Sequence, residues 1–180
     1  GSNLASLTPK EGDQYIVMSS PNKDVKKDNI TELFWYGCGH CLAAEPMVEN
    51  LKKVSKAKGW EFEQVHFPST RTTWLFDFNV YAGLQQLSLD QTVGKKYMKA
   101  VQSNLDRDDL ASFLSDHKID PVEFNKLTKN EARDKLLEKA NKFVSKEVSG
   151  TPAFIVSGKY ILRNSSDYPG LIEYLIETQP

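Results

Sequence analysis

Apart from Cys38 and Cys41 the sequence contains no cysteine. One pair excludes the small secreted domain stapled by several disulfides. It also leaves a zinc site short of ligands. A structural zinc wants four, commonly a second CxxC or paired histidines, whereas His66 and His117 are isolated in different segments. Charge of one sign is lacking too. Lys and Arg number 23 against 24 Asp and Glu, a net charge of −1, so no chain-wide basic field exists to hold nucleic acid or anionic lipid. No apolar run approaches the roughly 20 residues that span a bilayer. No internal repeat or low-complexity tract occurs. The start carries no signal-peptide pattern, and Gly1 and Ser2 read as a cloning remnant, which leaves room for a leader already removed.

What remains is sufficient for a core. Hydrophobic residues make up 39% and charged residues 26% of 180, which suits one domain of ordinary size or one carrying a large insertion. Residues 1–13 are polar and read as loose. Gln14–Met18 is a short strand candidate, and 19–29 reads as a loop. Ile30–Tyr36 is β-branched and aromatic, a central strand that Gly37 ends. From Gly39 to Lys58 the apolar residues Leu42, Met47, Val48, Leu51 and Val54 recur at helical spacing. Pro46 should kink this helix and Gly59 should cap it. Trp60–Phe67 reads as another strand.

Strand signals then fade. Helices are expected over about 71–87, 90–103, 107–116, 120–127 and 129–147, with starts at Asp106, at Asp120 and at Thr128 or Asn130. Ala153–Val156 and Lys159–Leu162 flank Ser157-Gly158, a type I′ or II′ hairpin signal. Residues 167–177 close the chain as an amphipathic helix. The fold class is therefore α/β: a sheet domain of residues 1–68 and 148–180, interrupted by an inserted helical domain of residues 69–147.

The chemistry concentrates in ELFWYGCGHC, residues 32 to 41. Strand followed by CxxC at a helix start places Cys38 near unpaired N–H groups and the positive end of the helix dipole, both of which favour thiolate over thiol. Any positive charge on His40 adds to this. Cys38 is then the attacking, exposed sulfur and Cys41, one turn on, the buried resolving one. A purely structural disulfide closing so small a loop would remove little chain entropy. Two reduced core cysteines fit poorly with Gly39 and His40 between them. A redox dithiol is the reading these residues favour.

FWYGCGHC, Pro46 five residues after Cys41, and Thr151-Pro152 before a strand together resemble a thioredoxin fold. With the large helical insertion domain, EGDQY near the start and VSGTPAFIVSGKYIL near the end, the chain resembles the DsbA family of periplasmic thiol:disulfide oxidoreductases. The resemblance covers most of the chain. It rests on length and helix content in the helical block. It implies that Cys38 is the nucleophile, Cys41 the resolving cysteine and Pro152 a cis-proline. Thr151 would offer its backbone to an extended substrate. Glu32, a lone charge in an apolar strand, would assist proton transfer at the resolving cysteine, with a pKa raised by burial. Against that role stands an ordinary strand-end glutamate facing water.

Two departures from the family are visible. The family pairs the acid with a lysine on the next strand; WEFEQVHF offers none, and His66 is a weak substitute. The familiar Pro-His dipeptide is here Gly39-His40, as in protein disulfide isomerases. Trp35, Tyr36, Trp74, Phe76 and Phe78 could line a substrate groove, but at strand and helix spacing they read first as core.

The expected function is introduction of disulfides into exported proteins. Partners would be unfolded or partly folded chains bearing thiols and a DsbB-type membrane reoxidant. Neither metal nor organic cofactor nor nucleic acid is expected, and the protein would be a periplasmic monomer. Rivals are the reverse chemistry, a reductase or isomerase, and a chaperone or binding module on the same fold with an inert CxxC.

Overall fold

The computed structural model describes residues 8–179. Of the polar start, residues 1–7 lie outside the described residues. The strands are β1 (Tyr15–Val17), β2 (Asn29–Phe34), β3 (Glu61–His66), β4 (Ala153–Val156) and β5 (Tyr160–Leu162). The helices are α1 (Gly39–Ala43), α2 (Glu45–Lys58), α3 (Thr72–Gln86), α4 (Val93–Val101), α5 (Leu110–Asp116), α6 (Pro121–Leu127), α7 (Glu131–Asn141) and α8 (Tyr168–Thr178). The sheet order is β1-β5-β4-β2-β3. This is the α/β arrangement of a thioredoxin fold.

The chain forms two compact units. In the first, residues up to Leu33, Pro46–Val65 and the stretch from Lys142 onward build the sheet with α2 and α8. β2 pairs antiparallel with β4, placing Ile30 opposite Val156 and Glu32 opposite Phe154. Ile30, Phe154 and Val156 join Val48 and Leu51 of α2 and Leu171, Ile172 and Leu175 of α8 in one buried cluster. Two helices thus cover one sheet face, and the period-two alternation that buries Ile30 and Phe154 there carries Glu32 to the same face. β4 returns into β5 through Ser157 and Gly158, both at positive φ (58° and 64°). That is the type I′ form of the expected hairpin, closed by Lys159 N–H donating to Val156 O at 3.0 Å.

The second unit comprises Phe34–Glu45 and His66–Asn141. Its centre is α3, where Asp77, Phe78, Val80, Tyr81, Ala82, Gly83 and Leu84 are all buried. A helix so enclosed needs neighbours on every side, and α4, α6 and α7 supply them. The side-chain caps act as expected. Asp106 accepts from Asp108 N–H at 2.9 Å, Asp120 from Val122 N–H at 2.8 Å and Asn130 from Arg133 N–H at 3.0 Å.

Three expectations change in detail. The helix with Pro46 is broken rather than kinked: α1 ends at Ala43, Ala44 caps it, and Pro46 enters as the second residue of α2. Proline cannot donate and collides with the carbonyl four residues back, so it starts a new helix more readily than it continues one. The helix over 107–116 opens as a 3-10 turn, Arg107–Asp109, before α5. The helix expected over 129–147 stops at Asn141. Beyond it the backbone is committed elsewhere in the first unit. Lys142 pairs with Asp24 at 2.6 Å, Phe143 is fully buried, and Glu147 accepts from Ser19 N–H at 2.9 Å. The final helix begins after Asp167, which accepts from Gly170 N–H at 2.9 Å.

Candidate redox site

In the second unit the chain leaves β2 through Trp35-Tyr36-Gly37 and turns into α1, with Cys38 as the N-cap residue in extended conformation (φ −85°, ψ 113°). Cys38 and Cys41 form a disulfide with Cα atoms 5.2 Å apart. Cys38 Sγ also accepts from Cys41 N–H at 3.0 Å. The cysteine sulfur stands where a serine or aspartate oxygen caps other helices. α1 spans only five residues. The polarisation at the sulfur is therefore local, from the first-turn N–H groups, rather than that of a long helix.

Exposure follows the expected order but is compressed. Cys38 keeps 7% of its surface and Cys41 1%, so the outer sulfur is itself mostly covered, while Gly39 and His40 are exposed. The CxxC reaches solvent through its middle dipeptide and a narrow window at Cys38.

Three side chains that sequence reasoning passed over or misjudged hold this turn. His66 is fully buried; its Nε2 accepts from Tyr36 N–H at 3.2 Å, and Nδ1 lies 3.1 Å from Phe67 O. With Nε2 as acceptor, Nδ1 carries the proton and donates. Burial pushes the imidazole down to about 4. His66 is thus a neutral strut for the backbone, and it supplies no positive charge in place of the missing lysine. Gln102, at the C-terminal end of α4, donates both amide hydrogens, to Tyr36 O at 2.8 Å and to Cys38 O at 2.9 Å. Asp77 is fully buried in α3 and accepts from Trp35 Nε1–H at 2.8 Å, from Tyr97 O–H at 2.7 Å, and from Arg107 in a two-pronged pair at 2.8 and 2.7 Å. The bidentate guanidinium satisfies the buried carboxylate. Burial, and after it the Asp77 carboxylate alongside, hold the Tyr97 phenol strongly in its protonated form. The only sequence signal for Asp77 was a charge inside an otherwise apolar helix; Gln102 left none.

The aromatic residues divide between core and surface. Tyr36 and Phe78 are buried, and Trp35 stacks on Trp74 with ring centres 4.1 Å apart. Phe76 lines a groove of about 540 Å³ beside α5 and α6.

In the first unit Glu32 is fully buried on β2, and its Oε1 accepts from Gln64 Nε2–H at 2.6 Å. The water-facing alternative for Glu32 is excluded, and a neutral amide of β3 stands against it. The Thr151–Pro152 peptide is cis, directly before β4, with both residues half-buried. The second unit thus brings together Cys38, Gly39, His40 and Cys41 on one helical turn, and the first carries Glu32, Thr151 and Pro152. Among the described residues no group of three or more His, Cys, Asp and Glu side chains is placed to hold a metal ion, and no helix is long and apolar enough to cross a membrane.

No protein-family model matches the chain. Its sequence is similar to the thiol:disulfide interchange protein DsbA of Pseudomonas aeruginosa, 27% identical over 184 residues, covering 93% of this chain and 84% of that protein. DsbA of Azotobacter vinelandii is 28% identical over 174 residues, with 89% and 78% covered. The crystal structure of a Pseudomonas aeruginosa DsbA variant superposes with a TM-score of 0.78 at 26% identity, covering 94% and 97% of the two chains. Proteus mirabilis DsbA with the non-covalently bound peptide PWATCDS has the same fold, with a TM-score of 0.75 at 16% identity and 94% and 98% coverage.

Two tests follow from this geometry. An unfolded histidine takes up a proton near pH ~6.5, whereas His66 in the folded chain does so only near 4. Between these values the unfolded chain binds more protons. The contribution is therefore full above ~6.5 and lost as pH falls toward ~4, by up to about 3 kcal/mol. Urea unfolding at pH ~7 and pH ~4.5 should show the loss, and His66→Gln, which keeps a donor and an acceptor, should flatten it. Equal slopes in both proteins would contradict the assignment. The second test concerns Gly39. It occupies the first helical position, and a Cβ there meets nothing nearer than Gln102 Oε1 at 4.0 Å. Cys38 already has the extended backbone that a following proline requires. Gly39→Pro should fold and gain about 0.4–1 kcal/mol in urea unfolding of the oxidised form; a loss would show that Gly39 is structurally required.

Proposed function

We propose, on the premise that the chain is a homologue of the DsbA thiol:disulfide interchange proteins, that it introduces disulfide bonds into protein substrates through the Cys38–Cys41 couple. The observation that carries this reading is the disulfide capping α1, with Cys38 Sγ taking the Cys41 N–H. A substrate thiolate attacks Cys38 Sγ along the disulfide axis. The Cys38–Cys41 bond breaks, a mixed disulfide forms to Cys38, and Cys41 departs as thiolate and takes a proton. A second substrate thiolate then attacks the substrate sulfur of the mixed disulfide. The substrate disulfide closes, Cys38 leaves as thiolate, and the protein has gained two electrons. Cys38 is the better leaving group because the N–H that caps its sulfur binds an anion more strongly than a neutral sulfur. The same preference makes the disulfide easier to reduce, hence a stronger oxidant.

The remaining roles follow the family resemblance. Glu32 handles the proton of Cys41; its complete burial with a neutral amide partner suits a carboxyl that changes protonation. Thr151 and Pro152 present backbone to an extended substrate, a mode of recognition that tolerates many sequences. Proteus mirabilis DsbA, which shares the fold, holds a peptide non-covalently. His40, exposed in the CxxC, adds to thiolate stabilisation whenever it is charged. In chain order residues 69–147 are the helical insertion between the thioredoxin-like segments 1–68 and 148–180, with residues from Lys142 onward belonging to the first compact unit. The protein works as a periplasmic monomer, and a quinone-linked membrane protein of the DsbB type reoxidises it.

The test uses the oxidised chain with a reduced, unfolded protein whose native state needs disulfides. The wild type should form those disulfides in stoichiometric amount, and Cys38→Ser should abolish the transfer. Cys41→Ser, loaded beforehand as the mixed disulfide of Cys38 with glutathione, should pass Cys38 to a substrate bearing one thiol, releasing glutathione and leaving a covalent Cys38–substrate adduct visible by mass. Substrate oxidation or capture that survives Cys38→Ser would favour a binding module with an inert CxxC.

A further inference from the structure

The backbone between β2 and α1 is pinned from both sides at Tyr36. His66 Nε2 takes its N–H and Gln102 its carbonyl. The other Gln102 hydrogen goes to Cys38 O, which also receives Leu42 N–H at 3.1 Å as the first intrahelical bond of α1. One side-chain amide therefore spends both its hydrogens on two carbonyls flanking Gly37, one of them belonging to the attacking cysteine. This fixes the amide orientation: the nitrogen faces the carbonyls, and Oε1 lies 4.0 Å from where a Cβ on Gly39 would stand. A contact over 64 residues of sequence is made for the backbone of the redox turn.

Its electrostatic sense is definite. Carbonyl oxygens carry partial negative charge; that of Cys38 belongs to the same residue as the sulfur, and that of Tyr36 lies two residues earlier in the same turn. In the disulfide the sulfur is neutral and indifferent to them. After reduction it bears a full negative charge at neutral pH if the N-cap site stabilises the thiolate. Hydrogens placed on those oxygens offset their repulsion in a partly buried setting, where such terms are less screened than in water.

We propose that Gln102 is a positioning residue of the redox centre, whose amide holds the Tyr36 and Cys38 carbonyls and so favours the thiolate over the disulfide. The proposal rests on the reading of Cys38 as nucleophile and deepens it. Gln102 touches no reacting atom; it acts through the backbone of Cys38.

The experiment reads the equilibrium in which the Cys38–Cys41 disulfide and two molecules of glutathione give the dithiol and glutathione disulfide. It also reads the thiolate titration of the reduced protein by ultraviolet absorbance. Gln102→Met keeps length and removes the donors. It should lower the equilibrium constant about three- to tenfold and shift the thiolate transition to higher pH. Gln102→Lys restores a donor and adds positive charge, so it should move both quantities the opposite way relative to Gln102→Met. A purely structural role would move both variants alike. Values for Gln102→Met within about twofold of wild type would overturn the proposal, as would equal shifts in the two variants. If Gln102→Met does not fold, Gln102→Lys decides alone: a lowered equilibrium constant overturns the proposal, and an unchanged or raised one supports it. A wild-type constant that proves reducing would overturn the proposed direction of electron flow and leave the difference between variants readable.

Discussion

The hydrogen bond from Cys41 N–H to Cys38 Sγ, 3.0 Å long, is the contact on which the chemistry of this chain turns. It puts a sulfur where helices elsewhere place a capping oxygen. A sulfur in that position is more comfortable with charge than without it. Everything assigned to the redox couple, from the leaving-group ability of Cys38 to the oxidising direction, follows from that asymmetry between its neutral and anionic forms. The contact survives only if the chain turns from β2 into α1 at a fixed angle, and the surrounding side chains are arranged to hold it there.

That support comes from three polar groups, two of them buried in a largely apolar interior and one half-buried at its edge. His66 and Gln102 engage the backbone of Tyr36 from opposite sides, and Asp77 anchors the Trp35 indole one residue earlier. Each is buried or half-buried and each is satisfied. A polar network of this kind specifies one geometry, because any other leaves groups stranded. Burial keeps His66 neutral down to about 4, so its bond to Tyr36 holds throughout the range in which thiol exchange operates. The first unit adds a second buried acid, Glu32, whose Oε1 accepts from Gln64 Nε2–H.

Much of this was legible from the sequence wherever the signal is local. The CxxC, the strand before it, the side-chain caps at Asp106 and Asp120 and at Asn130, one of the two starts expected there, and the Ser157-Gly158 turn are each written within a few residues, and each takes an expected form. The DsbA-like architecture was readable for the same reason: its motifs are short and lie at both ends of the chain. What escaped was long-range. Gln102 reaches back 64 residues and Asp77 reaches 42 to Trp35; neither spacing has a period to reveal it. The helix expected to run to 147 failed because Lys142, Phe143 and Glu147 gain partners in the first unit that no local propensity records. His66 was weighed as a charge when its role is that of a neutral strut. Burial decides that, and a single strand sequence does not state burial.

The most direct measurement is the reduction potential of the Cys38–Cys41 couple, obtained by equilibrating the protein across a graded glutathione buffer and following tryptophan fluorescence. A sulfur stabilised as thiolate at a helix N-cap predicts a couple clearly more oxidising than the glutathione pool. A potential near that of thioredoxin, around −270 mV, would mean that the capping contact does not favour the reduced form. The oxidising role assigned to this chain would then be wrong.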